Sequence, residues 1–348
     1  MTDLASVVYD PEFQAGARNA IRTCLRIEPH ERVLLVTDRR SQEIGASLYA
    51  EIRAVGAACE CFVIEELAAR PTRQMPPAVL AAAERCQVGI YCVHAQPGEI
   101  SSRMQLTQTV ERLRLRYAHM VNVDPEIMRS GMRADYLKVD EISERVLRLA
   151  RSARSMRIKT DAGTDLFVAF DPKLRWIKTS GIITPENWCN LPAGEVFTTP
   201  ALVQGTFVID GTIGDYLCDK YGSLENHPLV VEVENSVARR IGSTNLELAR
   251  EFDDYIHSGP DSDRVGEFAI GTNLFLTRII GNLIQDEKIP GIHLAFGDPY
   301  GSQTGADWTA PTHIDVIARR CNVWMDGIPI MEDGQFFVEG AFCFLQDR

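Results

Sequence analysis

Between residues 11 and 150 the apolar positions alternate between helical and strand spacing. Residues 11–27 carry Ala15, Ala20, Ile21, Leu25 and Ile27 at helical intervals and predict a helix that ends before Pro29. Residues 32–38 are almost wholly apolar, as in a strand covered on both faces of a parallel sheet. Residues 41–55 predict a helix with Ile44, Leu48, Tyr49 and Ile52 on one side and Gly56 at its C-cap. Strands at 59–64, 88–93 and 118–123 and helices at 77–86, 102–117 and 139–150 complete the series. Strand and helix in this order predict an α/β N-terminal doubly wound layer.

After residues 151–155 the spacing changes. Short β runs interrupted by glycine occupy 156–159, 166–170, 203–209, 229–234 and 238–241, and helices are expected at 246–257 and 273–284. Asp326-Gly327 and Asp333-Gly334 read as hairpin turns in a strand-rich C-terminus reaching Phe344. The expected organisation is an α/β domain over 1–152 and an α+β, β-rich domain over 153–348.

Composition narrows the possibilities. A net charge of −12 and a pI near 5.1 argue against nucleic-acid binding, which needs a basic footprint. Nine cysteines without a CxxC read as small core residues in a reducing compartment. The first residues, Met1-Thr2-Asp3-Leu4, lack the basic start and apolar run of a leader, and no apolar stretch is long enough to cross a membrane. The expectation is a cytoplasmic protein without membrane partners. There is no GxGxxG, GxxxxGK[ST], GxSxG or HExxH. His94 and His119, beside apolar strands, are expected to be structural.

The candidate chemistry lies in four short segments. Gly194-Glu195-Val196-Phe197 and Gly266-Glu267-Phe268-Ala269 each set a glutamate in an apolar, strand-like run. A buried carboxylate there needs a cation or hydrogen-bond donors, although either glutamate alone would also fit the wet face of an antiparallel strand. Two in matching contexts, with His293 in Ile292-His293-Leu294, point to a shared site. In a strand, His313 and Asp315 project to the same face. Three carboxylates and two imidazoles suit divalent cations where no thiolate takes part.

These segments resemble the M29 metallo-aminopeptidases of the aminopeptidase T type. The resemblance is carried by the eleven residues Asn190–Pro200, Gly266–Gly271, His293–Gly297 and His313-Ile314-Asp315, with Gly163–Leu166 and Arg175-Trp176 upstream. It implies that Glu195, Glu267, His293, His313 and Asp315 hold two divalent ions (zinc, cobalt or manganese), with Glu267 bridging. It further implies that Glu267 and Tyr300 are catalytic, that the substrate is a short peptide or small amide, and that the enzyme is a homodimer. Two features depart from that family: Val316-Ile317-Ala318 follows the His-x-Asp pair, and the stretch from Tyr300 to His313 is short.

A relative on the same scaffold, 2,5-dihydroxypyridine 5,6-dioxygenase, uses one iron held by two histidines and an aspartate. A comparable set, His293, His313 and Asp315 around a single Fe(II), can be drawn from this chain, so a mononuclear ring-cleaving dioxygenase is the alternative. A scaffold protein that has lost its metal is disfavoured, because all five ligand types are present.

Overall fold

In the computed structural model, which describes residues 3–336, the chain forms two compact units: Met1–Asp140 with Thr179–Ala193, and Glu141–Lys178 with Gly194–Arg348. The first unit is built on a five-stranded sheet in the order Ala58–Val63, Arg32–Thr37, Val88–Cys92, Arg116–His119, Cys189–Asn190, with every adjacent pair parallel. Its central strands are buried on both sides, which is why their sequences are continuously apolar. Helix Gln42–Val55 ends at Gly56, whose φ of +92° is the left-handed cap that the sequence anticipates. The first predicted helix is present as Phe13–Arg18 and continues into a π turn over Asn19–Cys24. The fourth strand is Arg116–His119, earlier in the chain than the 118–123 expected, because helix Ile100–Leu113 ends at Arg114 in a left-handed conformation.

Strand order reverses between Arg32–Thr37 and Val88–Cys92, where open α/β sheets usually bind ligands. Here a buried guanidinium spans the gap. Arg70 donates to Asp38 Oδ2 at 2.5 Å, to the His94 carbonyl at 2.6 Å and to both oxygens of Glu99. Asp38 and Glu99 also accept backbone N–H groups from Ser41, His94, Thr72 and Gln96. His119, as expected, is structural: its Nδ1 lies 2.8 Å from the Tyr117 hydroxyl and its ring stacks on Tyr91.

The second unit contains two sheets. One has eight strands in the order Val237–Ser243, Leu229–Glu234, Leu202–Ile209, Asp165–Ala169, Ser155–Lys159, Asn322–Met325, Ile328–Glu332, Gln335–Phe336, with antiparallel neighbours. The other runs His313–Ala318, Gly291–Gly297, Val265–Gly271, Glu195–Thr198, Ile177–Thr179. Phe207 and Ile209 of the first sheet, Phe268, Leu294 and Phe296 of the second, and Phe252 of helix Leu246–Ile256 share one core. That helix starts where the Asn245 side chain accepts the Leu248 N–H, and it buries Leu248, Phe252 and Ile256 at intervals of four.

The helix expected over 273–284 does not form. Only Leu283–Asp286 is helical, because side chains take the backbone donors that a helix would use. Asp286 accepts N–H groups from Ile280, Gly281 and Asn282, and Asn273 Oδ1 accepts from Phe275. The strands expected beyond Phe336, and Cys343, lie outside the described residues. Among the described residues no helix is long and apolar enough to cross a membrane.

Candidate metal centre

Alternation along three adjacent strands separates core from chemistry. Phe268, Ile270, Ile292, Leu294, Phe296, Ile314 and Val316 point into the core. The intervening positions on the opposite face carry Glu267, His293, His313 and Asp315, and Glu195 joins them from the next strand. Small residues stand opposite the functional ones: Glu267 and Asp315 both pair with Ala295, His293 with Ala269, His313 with Gly297 and Glu195 with Gly271. These pairings leave room above the sheet for long side chains.

One extra residue is decisive for Glu267. Val265 pairs with Phe296 and Glu267 with Ala295, so Gly266 is a bulge that two-residue alternation does not count. Val265 and Phe268 both reach the core although they are three positions apart. Without the bulge Glu267 would share the face of Val265. A side chain at 266 would also meet the Gly297 carbonyl at 2.1 Å, which restricts the position to glycine.

Glu195, Glu267 and His293 are buried, and His313 and Asp315 are half-buried beside them. Glu195, Glu267 and His293 offer ligand atoms within 4.8 Å of one another, and so do Glu287, His293 and Asp315. His293 Nε2 lies 3.5 Å from Glu195 Oε2 and 3.6 Å from Glu267 Oε1. His313 Nε2 lies 3.9 Å from Glu267 Oε2 and 3.4 Å from Asp315 Oδ1. Its other nitrogen donates to the Asp298 carbonyl at 2.8 Å, which aims Nε2 inward. Thus the two oxygens of Glu267 face different histidines.

Tyr300 stands at the edge of this group. It is exposed and its ring lies 4.4 Å from that of His313. Its backbone is left-handed (φ +50°), an uncommon state for a large residue, and its N–H donates to Asp298 Oδ1 at 2.9 Å.

Two residues that the sequence reading missed complete the cluster. Lys288 Nζ contacts Glu195 Oε1 at 2.7 Å and Glu287 Oε1 at 2.6 Å, and both residues are buried. The signal available was a charged triplet, Asp286-Glu287-Lys288, placed directly before an apolar strand.

The electrostatics favour cations. Burial pushes the Glu267 carboxyl up, and the nearby imidazoles only partly oppose this. Burial also raises Glu287, to about 8. Burial pushes His313 down, but the Asp315 and Glu267 carboxylates outweigh it and lift the imidazole to about 10. Four carboxyl groups and two imidazoles converge there beside one ammonium, and these hard oxygen and imidazole donors suit divalent ions.

The model of the family described as NicX, 2,5-dihydroxypyridine 5,6-dioxygenase, matches residues 16–270. That span contains Glu195 and Glu267 and ends before His293. No curated protein matches the chain. Among solved structures, the 2,5-dihydroxypyridine dioxygenase from Pseudomonas putida KT2440 is 15% identical, with a TM-score of 0.67 over 98% of this chain and 99% of that one. Wild-type AmpT from Thermus thermophilus is also 15% identical, with a TM-score of 0.69 over 94% of this chain and 99% of that one. The two likenesses establish a shared fold. The match over residues 16–270 shows that the chain belongs to the 2,5-dihydroxypyridine 5,6-dioxygenase family, on the scaffold shared with the M29 aminopeptidases.

Proposed function

We propose that the chain is a two-metal hydrolase that removes an N-terminal residue or cleaves a small amide. The observation that carries this reading is the placement of Glu267, with one oxygen toward His293 and the other toward His313. Such a carboxylate can serve two ions, one with Glu195 and His293 and the other with His313 and Asp315. Two divalent ions, when bound, would polarise the scissile carbonyl and acidify the attacking water.

The chain's own residues supply the remainder. The Tyr300 hydroxyl is suited to donate a hydrogen bond to the developing oxyanion. Glu267 is the catalytic carboxylate that the aminopeptidase resemblance implies. Tyr300→Phe is expected to lower kcat about 10²-fold with little change in KM, as loss of an oxyanion donor does. An unchanged kcat would remove the hydroxyl from the reaction.

The second reading, a ring-cleaving dioxygenase with one Fe(II) on His293, His313 and Asp315, is favoured by the family match. A facial triad needs one carboxylate, and it leaves Glu195 and Glu267 without a task. Metal analysis of the purified chain separates the two readings. The hydrolase requires about two zinc, cobalt or manganese ions per chain and release of amine from an aminoacyl anilide. A single iron, with oxygen consumed on 2,5-dihydroxypyridine, would replace that reading with the dioxygenase. A homodimer, implied by the aminopeptidase resemblance, belongs to the same proposal.

A further inference from the structure

Lys288 is 1% exposed, and burying an ammonium is unfavourable unless it is well paired. Its pairing is specific. Nζ takes Oε1 of Glu195 and Oε1 of Glu287, and the backbone is held at both ends. The Lys288 N–H donates to the Gln285 carbonyl at 2.9 Å, and its own carbonyl accepts the Asn273 N–H at 3.0 Å. The segment also lies directly over Gly271, where any side chain would collide with the Ile289 carbonyl. The lysine therefore reaches the cluster from a fixed backbone, opposite the strand that carries Glu195.

We infer that Lys288 is the positioning residue of the metal centre: by occupying Oε1 of Glu195 it leaves that glutamate a single ligand oxygen, Oε2, aimed at the His293 side. This rests on the metal-binding reading above and adds to it a cause for the orientation of Glu195. The same ammonium holds Glu287, whose carboxylate lies within ligand distance of His293 and Asp315 and would otherwise compete for an ion. Lys288 acts through Glu195 and Glu287, without contact with substrate.

Cobalt titration of the full chain, followed by its visible absorption, tests this without reference to turnover. Lys288→Met is expected to weaken cobalt binding about 10–100-fold and to change the absorption envelope, the usual consequence of releasing a ligand from its partner. The double variant Lys288→Met/Glu287→Gln removes the competing Glu287 carboxyl without restoring the orientation of Glu195, and is expected to remain weakened. Recovery of the parental affinity and spectrum in the double variant would overturn the inference, since Lys288 would then act only by restraining Glu287. Unchanged binding in Lys288→Met would overturn it as well.

If Lys288→Met fails to fold, Lys288→Gln serves. It keeps a donor for Glu195 without the charge, and should hold cobalt within a few-fold of the parent; a loss of about tenfold or more would count against positioning. Should the parent chain hold one ion instead of two, the two-metal reading fails while the comparison among variants still stands.

Discussion

Replacing Glu267 with glutamine is expected to reduce kcat/KM by more than about 10³-fold, because loss of a direct ligand should exceed the 10–100-fold typical of outer-shell partners. The amide has the shape of the carboxylate but only one oxygen. Its NH₂ cannot ligate, so it can face His293 or His313 but cannot serve both sides. Metal analysis of Glu267→Gln should show fewer ions per chain than the parent. The fold should survive: Glu267 is buried on the face away from the core, and a neutral amide is easier to bury than a carboxylate. Circular dichroism and melting of the metal-free chain should match the parent or exceed it. A variant that turned over at the parental rate would remove Glu267 from the mechanism, whatever its metal content.

The second large effect concerns stability and lies in the first unit. Arg70→Met is expected to destabilise that unit by about 3–5 kcal/mol, the usual consequence of deleting one partner from a buried ion network. Arg70 is 6% exposed, while Asp38 and Glu99 are each 1% exposed. Without the guanidinium, two carboxylates remain in the crevice between strands Arg32–Thr37 and Val88–Cys92. Amide exchange in strand Arg32–Thr37 would report the loss, and a change below about 1 kcal/mol would mean that the backbone donors alone support the acids.

The same network predicts an acid signature. Burial pushes Glu99 up, but Arg70 and the Thr72 and Gln96 amides outweigh it and hold the carboxyl at about 2. A carboxyl whose folded pKa is depressed contributes stability above its ordinary range and loses it as pH falls toward the folded value. The parent should therefore weaken between about pH 4.5 and 2, and Arg70→Met should lack that slope.

Much of the second unit was legible because period two is a local property. Gly266-Glu267-Phe268-Ala269 reads as a strand-like run, and His313 and Asp315 share a face if extended. In the structure Val265–Gly271, Gly291–Gly297 and His313–Ala318 are strands, and the side chains singled out from them share one face. Glu195 and Glu267 sit in matching sequence contexts, each after a glycine, but the local structures at the two glycines differ. Gly266 is a bulge, whereas Gly194 precedes its strand with a φ of +129°. The helix expected over 273–284 failed for a non-local reason: Asp286 and Asn273 capture backbone donors in a fold-specific loop.

By itself the sequence determined the doubly wound pattern of the first unit, the strand-rich character of the second, and the acids and imidazoles offered to a cation. Each of these depends on side-chain spacing within a dozen residues. The tertiary structure alone decided which distant charges meet: Lys288 between Glu195 and Glu287, Arg70 between Asp38 and Glu99, and Cys189–Asn190 as a fifth parallel strand beside Arg116–His119. The physical reason is that a charge can be buried only against a partner. That partner is selected by how strands and loops pack, which local periodicity does not encode.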